Sequence, residues 1–249
     1  MKTDGASRTP VTRTPVLGIP VDCLTMDEAI DRLEDMIEAR TPSLVFTADA
    51  SGLVMAQDDL LFHEILEQAA LITPDSSGVV WAMKRAGCAN QQRVSGVDLV
   101  DRLCARSADV GYRIFFLGAE PGVAELAAER MRLRHPGCNI VGARHGYFPA
   151  ADDDVVAQDI AKTHPDVLFV AMGMPRQEQF ILKTQSIIQA PVAMGVGGSF
   201  DVFSGKTKRA PKLIQKMKME WFWRLILNPK KMSKVKYLPR FVRLVLTSQ

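Results

Sequence analysis

The chain has 249 residues, of which 47% are hydrophobic and 24% charged, a globular composition that excludes a fibrous or wholly disordered protein. Its length suits one large α/β domain with an appendage, and a core of that size needs no disulfide staples. The net charge of +3 hides an asymmetry: thirteen of the 31 basic residues, but only Glu220 among the 28 acids, fall after residue 205, so that segment carries +12 and the rest −9. Parts so differently charged face different partners.

No run reaches the roughly 18 apolar residues that a membrane-spanning helix needs. Residues 1–15, rich in Thr, Arg and Pro, lack the apolar stretch of a signal peptide and read as a disordered leader. Cys23, Cys88, Cys104 and Cys138 form no CxxC pair and read as small buried thiols of a reducing compartment. His63, His135, His145 and His164 show no metal-ligand spacing.

Thr25-Met-Asp-Glu28 is a capping box and predicts a helix from Met26 to Arg40, with Ile30, Leu33, Met36 and Ile37 on its inner face. A β-like run follows at Ser43–Thr47, then helical patterns at Ala50–Gln57 and Leu60–Ala70, a strand end at Leu71–Thr73 and a helix at Val79–Arg85. The second half alternates more cleanly. Helices are expected at Val97–Ala108, Val123–Arg134 and Val155–Thr163, and strands at Arg113–Leu117, Asn139–Gly142, Val167–Met172 and Val192–Val196. Val167–Met172 is continuously apolar, as in a strand covered on both faces. The recurrence predicts a Rossmann-like α/β fold over residues 16–205, with a mainly parallel sheet and helices on both faces, plus a basic helical C-terminal appendage over 206–249. Ligands of such folds bind beyond the carboxyl ends of the strands, which directs attention to the loops after Thr47, Thr73, Leu117, Met172 and Val196.

The turn Gly118-Ala-Glu-Pro-Gly122 joins a strand to a helix, and its backbone N–H groups suit a diphosphate. It lacks the third glycine and the downstream acid of a dinucleotide fingerprint, and a plain tight turn is the alternative. In Gly195-Val-Gly-Gly198-Ser-Phe-Asp201, Gly197 and Gly198 let backbone approach a ligand, and Asp201 can accept a bond from a sugar or ribose hydroxyl. The alternative there is a bend that needs positive φ. Thr47, Asp49 and Asp75 follow two strands and meet at one sheet edge, where a carboxylate can act as general base. The competing role for Asp75 is to cap the next helix. Asp152-Asp153-Asp154 contains the Asp-Xaa-Asp pattern that holds a metal on a nucleotide sugar in many transferases, but its place before a helix favours solvated capping. In Gly173-Met-Pro-Arg-Gln-Glu178, Gln177 is suited to hold a sugar or phosphate without adding charge.

Taken together, these stretches resemble the bacterial WecG/TagA/CpsF glycosyltransferases, glycosyltransferase family 26. The resemblance runs from about Val16 to Val245. It also takes in Arg93-Val-Ser-Gly96, His145-Gly-Tyr-Phe148, Arg209-Ala-Pro211 and Glu220-Trp-Phe-Trp-Arg224. It implies an inverting, metal-independent enzyme without a cofactor, which moves a sugar, often of the N-acetylmannosamine type, from a UDP-sugar donor to a saccharide on a polyprenyl diphosphate. By motif match Asp75 is the base, with Thr47 beside it. Arg93 is catalytic, Gln177 lines the pocket, and the glycine loops (Gly118, Gly122, Gly197, Gly198) hold UDP. Arg209 and Arg224 are expected to supply further cations. Asp49 stands where the family usually has Asn and Ser76 where it has Gly. Like-charge repulsion between Asp49 and Asp75 is then expected to raise the pKa of one of them.

The segment Met217–Leu227 is apolar and aromatic with basic flanks, Pro229 ends its helix, and a second basic stretch runs to Arg243. Basic and aromatic residues interleaved in this way suit an anionic membrane surface, which places the protein in the cytoplasm, peripheral on the inner face of the plasma membrane. Packing of Trp221 and Trp223 on the core or in a homo-oligomer is the alternative; nucleic acid is disfavoured because the body is acidic and carries no nucleic-acid-binding motif. Competing activities are a UDP-glucose-using transferase of exopolysaccharide synthesis, a dehydrogenase, and a nucleotide- or lipid-binding homologue without catalysis.

Overall fold

The computed structural model describes residues 12–89, 91–208, 211 and 236–248. Its centre is a six-stranded, wholly parallel sheet. The strands are β3 (Leu44–Ala48), β4 (Leu71–Pro74), β5 (Ile114–Gly118), β6 (Ile140–Arg144), β7 (Val167–Ala171) and β8 (Val192–Gly195), in the spatial order β4–β3–β8–β7–β5–β6. Alternate strand residues point to opposite faces. Leu44, Phe46, Leu168, Val170 and Ala193 pack with α2 (Ala50–Met55), α3 (Leu60–Glu67), α4 (Ser77–Arg85), α7 (Asp153–Ala161) and α8 (Arg176–Ile188). Val45, Val167, Phe169, Val192 and Met194 pack with α1 (Met26–Ala39), α5 (Gly96–Val110), α6 (Val123–Arg134) and α9 (Ser199–Phe203). The Rossmann-like arrangement expected from the sequence is therefore present, with two apolar cores separated by the sheet.

Local chemistry sets several boundaries. The Thr25 side chain accepts from Glu28 N and the Glu28 carboxylate accepts from Thr25 N, so the capping box starts α1 at the residue that the sequence predicts. Ser95 caps α5, which ends on Gly111 in the left-handed region.

Three elements depart from the sequence expectation. Residues 13–15, expected to belong to a disordered leader, are instead ordered: Arg13–Val16 (β1) pairs antiparallel with Ile19–Asp22 (β2), while residues 1–11 of that expected leader lie outside the described residues. The hairpin turns on Leu17 and Gly18, both at positive φ, the geometry of a two-residue type I′ turn. Arg13 donates to Asp22 and to the Ala70 carbonyl, and Asp22 accepts from Ile72 N, which moors the hairpin beside β4. The second departure is α8, a helix of 13 residues that the apolar pattern does not announce. The third lies in the basic appendage. Its last part forms α10 (Tyr237–Thr247), which buries Phe241 and Val245 against α2 and α4. That stretch docks on the body, while most of 206–235 lies outside the described residues. Among the described residues no helix is long and apolar enough to cross a membrane.

The four cysteines are free thiols, two at each core: Cys23 and Cys88 pack against one, and Cys104 and Cys138 lie in the other. Cys104 and Cys138 are buried, but Cys23 and Cys88 are only partly covered.

Candidate active site

The last strand, β8, inserts between β3 and β7, so the loops leaving these three strands and β4 converge on one carboxyl edge. Thr47 lies opposite Thr73 and Ala48 opposite Pro74 in the parallel register. Asp75 N donates to the Ala48 carbonyl, which brings Asp75 beside the end of β3. Val94 N donates to the Pro74 carbonyl, so Arg93 and Asp75 each sit one residue from the same bond. Gly96 packs on the Thr47 methyl group so closely that a Cβ at this position would stand only 3.2 Å from it. Thr47 and Asp75 thus lie at the ends of two adjacent strands, and the Val94–Pro74 bond brings the loop that carries Arg93 beside them.

The two departures from the family pattern have local explanations. Ser76, not Asp75, is the N-cap of α4, and its side chain accepts from Val79 N. The capping role that competed for Asp75 is therefore filled by its neighbour. Asp49 is the N-cap of α2: Oδ1 accepts from Gly52 N at 2.8 Å and from Ser51 Oγ at 2.5 Å. One oxygen of the second carboxylate is thereby committed to helix capping.

Gln177, at the start of α8, joins the loops after β7 and β8. Its Oε1 accepts from Gly173 N at 3.1 Å and Gly197 N at 3.2 Å, and its Nε2 donates to Glu178 Oε1 at 2.7 Å. This makes Gln177 a brace more than a ligand-binding arm, and it means that the Gly197 N–H is directed at Gln177. A side chain at Gly195 has no room, since its Cβ would stand 2.5 Å from Gln177 Nε2. The Gly195 carbonyl accepts from Thr47 Oγ1 at 3.0 Å, completing a chain of contacts from α8 through β8 to β3.

Gly118, Gly122, Gly198 and Asp201 form the other half of the edge. Gly118 has φ +134, and a Cβ there would lie 2.5 Å from Ala171 backbone; only glycine fits this crossing of β5 against β7. Gly122 precedes α6, whose N-terminus has no side-chain cap hydrogen bond. What joins these loops is not visible in the sequence. Gly146 N donates to the Ala119 carbonyl, Lys206 pairs with Glu120, and Thr207 N donates to the Asp201 carbonyl. Tyr147, 65% exposed, stands in the same loop as Gly146. Arg209 and Arg224 lie outside the described residues.

Asp152 and Asp154 are solvated at the start of α7, as the sequence suggests, but Asp153 is not. Asp153 is buried and accepts two bonds from Arg176, with Lys183 at 3.5 Å. Arg176 also lies over the rings of Phe148 and Phe180. The carboxylate at the centre of the Asp-Xaa-Asp pattern is thus consumed in tying α7 to α8. No sequence signal marks this pair, because its members lie far apart in the chain.

The Glycosyl transferase WecG/TagA/CpsF family model matches residues 14–249. The chain is 37% identical over 204 residues to an N-acetylglucosaminyldiphosphoundecaprenol N-acetyl-beta-D-mannosaminyltransferase of Bacillus spizizenii, covering 82% of this chain and 79% of that one. Proteins of the same name from Bacillus subtilis (33% identical, 93% and 90% covered) and Staphylococcus aureus (31%, 94% and 92%) are similar over more of their length. With the motifs seated at one sheet edge and the match running nearly end to end, this enzyme belongs to the Glycosyl transferase WecG/TagA/CpsF family.

Proposed function

We propose that this glycosyltransferase moves N-acetylmannosamine, with inversion, from a UDP donor to the N-acetylglucosamine of a polyprenyl-diphosphate acceptor at an anionic membrane surface. The names of its relatives supply the sugar and the acceptor. The observation that carries the chemistry is the position of Asp75. It lies at the carboxyl end of β4, released from capping by Ser76, with Arg93 one residue from the backbone bond that precedes it.

On this reading the acceptor hydroxyl gives its proton to the Asp75 carboxylate while its oxygen bonds to the anomeric carbon. The bond from that carbon to the β-phosphate oxygen breaks, its electron pair leaves with UDP, and one in-line displacement inverts the centre. The leaving diphosphate gains charge, which fixed donors stabilise best when they need not reorganise. Arg93 and the glycine-loop amides other than that of Gly197, which is spent on Gln177, serve that role, with Arg209 and Arg224 as further cations, and no metal is required. Asp201 and Gly198 face the nucleoside side of the donor.

The basic appendage fits the lipid-linked acceptor. Among the described residues of the appendage, Phe241 and Val245 are spent on the body, and the outward stripe of α10, with Val242, Arg243 and Leu246, is left to meet lipid. Each basic side chain near an anionic surface contributes about 1 kcal/mol. Lys230, Lys231 and Lys234 changed together to Glu should abolish flotation with anionic liposomes; unchanged flotation would exclude docking through this segment.

A panel of UDP-sugars tested against a short-chain polyprenyl-diphosphate N-acetylglucosamine, with products read by mass spectrometry, tests the whole reading. Addition of one N-acetylhexosamine from UDP-N-acetylmannosamine supports it. Transfer from UDP-glucose alone assigns the enzyme to exopolysaccharide synthesis instead, and binding of UDP without transfer or hydrolysis marks a homologue without catalysis.

A further inference from the structure

Glu178 is fully buried at the base of the candidate site, yet the displacement described above makes no use of it. Its Oε1 accepts from Gln177 Nε2, and the backbone of Gly195 is pressed against both side chains. A side-chain amide has one accepting and one donating end. Gln177 must turn its accepting end to Gly173 N and Gly197 N to hold the loops after β7 and β8 together. A reversed amide would oppose donors to donors and leave two backbone N–H groups unsatisfied. The Glu178 carboxyl oxygen favours the productive orientation from the other end, because it accepts from Gln177 Nε2 and would face a second acceptor, the amide oxygen, if the amide were reversed.

We propose that Glu178 is a positioning residue: through Gln177 it fixes the two glycine loops that form the floor of the donor site. The identity of the donor rests on the reading above, whereas the effect on the loops does not.

Hydrogen–deuterium exchange of the full chain, followed in peptides covering residues 172–179 and 195–203, reads the loops without any ligand. Glu178→Ala should speed exchange there about tenfold, the loss of roughly one buried hydrogen bond, with the remaining peptides unchanged. Glu178→Gln keeps an acceptor in place and should remain near wild type. A swap supplies a check that a folding defect cannot imitate. Gln177→Glu alone sets two carboxylates together and should loosen the loops. In the double variant Gln177→Glu with Glu178→Gln, the new carboxylate accepts from the glycines and the new amide donates to it, so protection should return. Wild-type exchange in Glu178→Ala, or no recovery in the swap, overturns the proposal. In steady-state kinetics Glu178→Ala should raise KM for the donor about tenfold with a smaller change in kcat, and Glu178→Gln should restore it. Equal loss in kcat with KM unchanged also overturns it. If the wild-type enzyme uses no UDP-sugar, the donor reading fails and the exchange experiment still decides the role of Glu178.

Discussion

Thr47 Oγ1 donates to the Gly195 carbonyl across 3.0 Å, and this bond joins β3 to β8 at the edge where the sheet opens. The Thr47 hydroxyl has only one hydrogen, and it is directed at a backbone carbonyl. Thr47 therefore shapes the site beside Asp75 and does not serve as the base. Thr47→Ser keeps the donor and should retain most activity. Thr47→Val keeps the shape but removes the bond, at a cost of about 1–3 kcal/mol. Denaturant unfolding alongside kinetics checks this; a Val variant with wild-type stability and activity would show that the bond carries neither.

Ser76 caps α4, and Asp75 before it is the base of the proposed reaction. Asp75→Asn should lower kcat by at least about 100-fold, as expected when a general base is lost, while UDP affinity measured by calorimetry stays near normal. Ser76→Ala should cost about 1 kcal/mol of stability through the lost cap and leave some turnover. Equal activity of Asp75→Asn and wild type would remove Asp75 from the base role.

The sequence displayed what local rules govern. The capping box before α1, the apolar strands β5 and β7, and α6 lie within a residue of where pattern places them. The hairpin escaped because Pro15 and Pro20 face each other across it and Leu17, an unusual residue for positive φ, occupies its turn. Helix α8 escaped because half of its buried positions are polar (Gln177, Glu178 and Thr184), which blurs a 3.6-residue apolar repeat. Of these, Gln177 braces the loops of the site. The motifs around Thr47 and Asp75 were legible because each follows a strand end, whereas Arg93, in the loop between α4 and α5, was legible only through the family resemblance. The pairing of Asp153 with Arg176 was not, because long-range partners leave no local period.

That ion pair makes a separate prediction. Asp153→Ala strands a partly covered Arg176 and should destabilise the fold by roughly 3 kcal/mol, the lower end of the range for a broken buried pair. The effect should appear in denaturant unfolding and be relieved in part by adding Arg176→Met, which removes the unpaired cation but keeps a chain over Phe148 and Phe180. A variant whose only defect is a loss of activity restored by manganese would instead assign Asp153 to a metal.

Helix α10 is held by an inner contact and an outer one. Inside, Phe241 is fully buried near Gly78 of α4 and Ala50 of α2, the helices that begin beside Asp75 and Asp49. Outside, Arg240 forms a bidentate pair with Asp58 at 2.5 and 2.6 Å, and this hydrogen bonding holds the Asp58 carboxyl below its ordinary value of 3.8. A carboxyl with a lowered folded pKa contributes stability above its unfolded pKa and loses it as pH falls through the folded one. Acid should therefore loosen α10 only below about pH 4, and pH between 5 and 8 should have no effect through this pair. Exchange of the 237–247 amides measures the change, and Asp58→Asn should remove that acid step. Phe241→Ala should act at every pH, since a buried Phe is worth about 3–5 kcal/mol. Because the ring rests on the starts of α2 and α4, the same variant should lower kcat without touching any residue of the site. Intact turnover with an unprotected α10 would show that the catalytic edge stands without this helix.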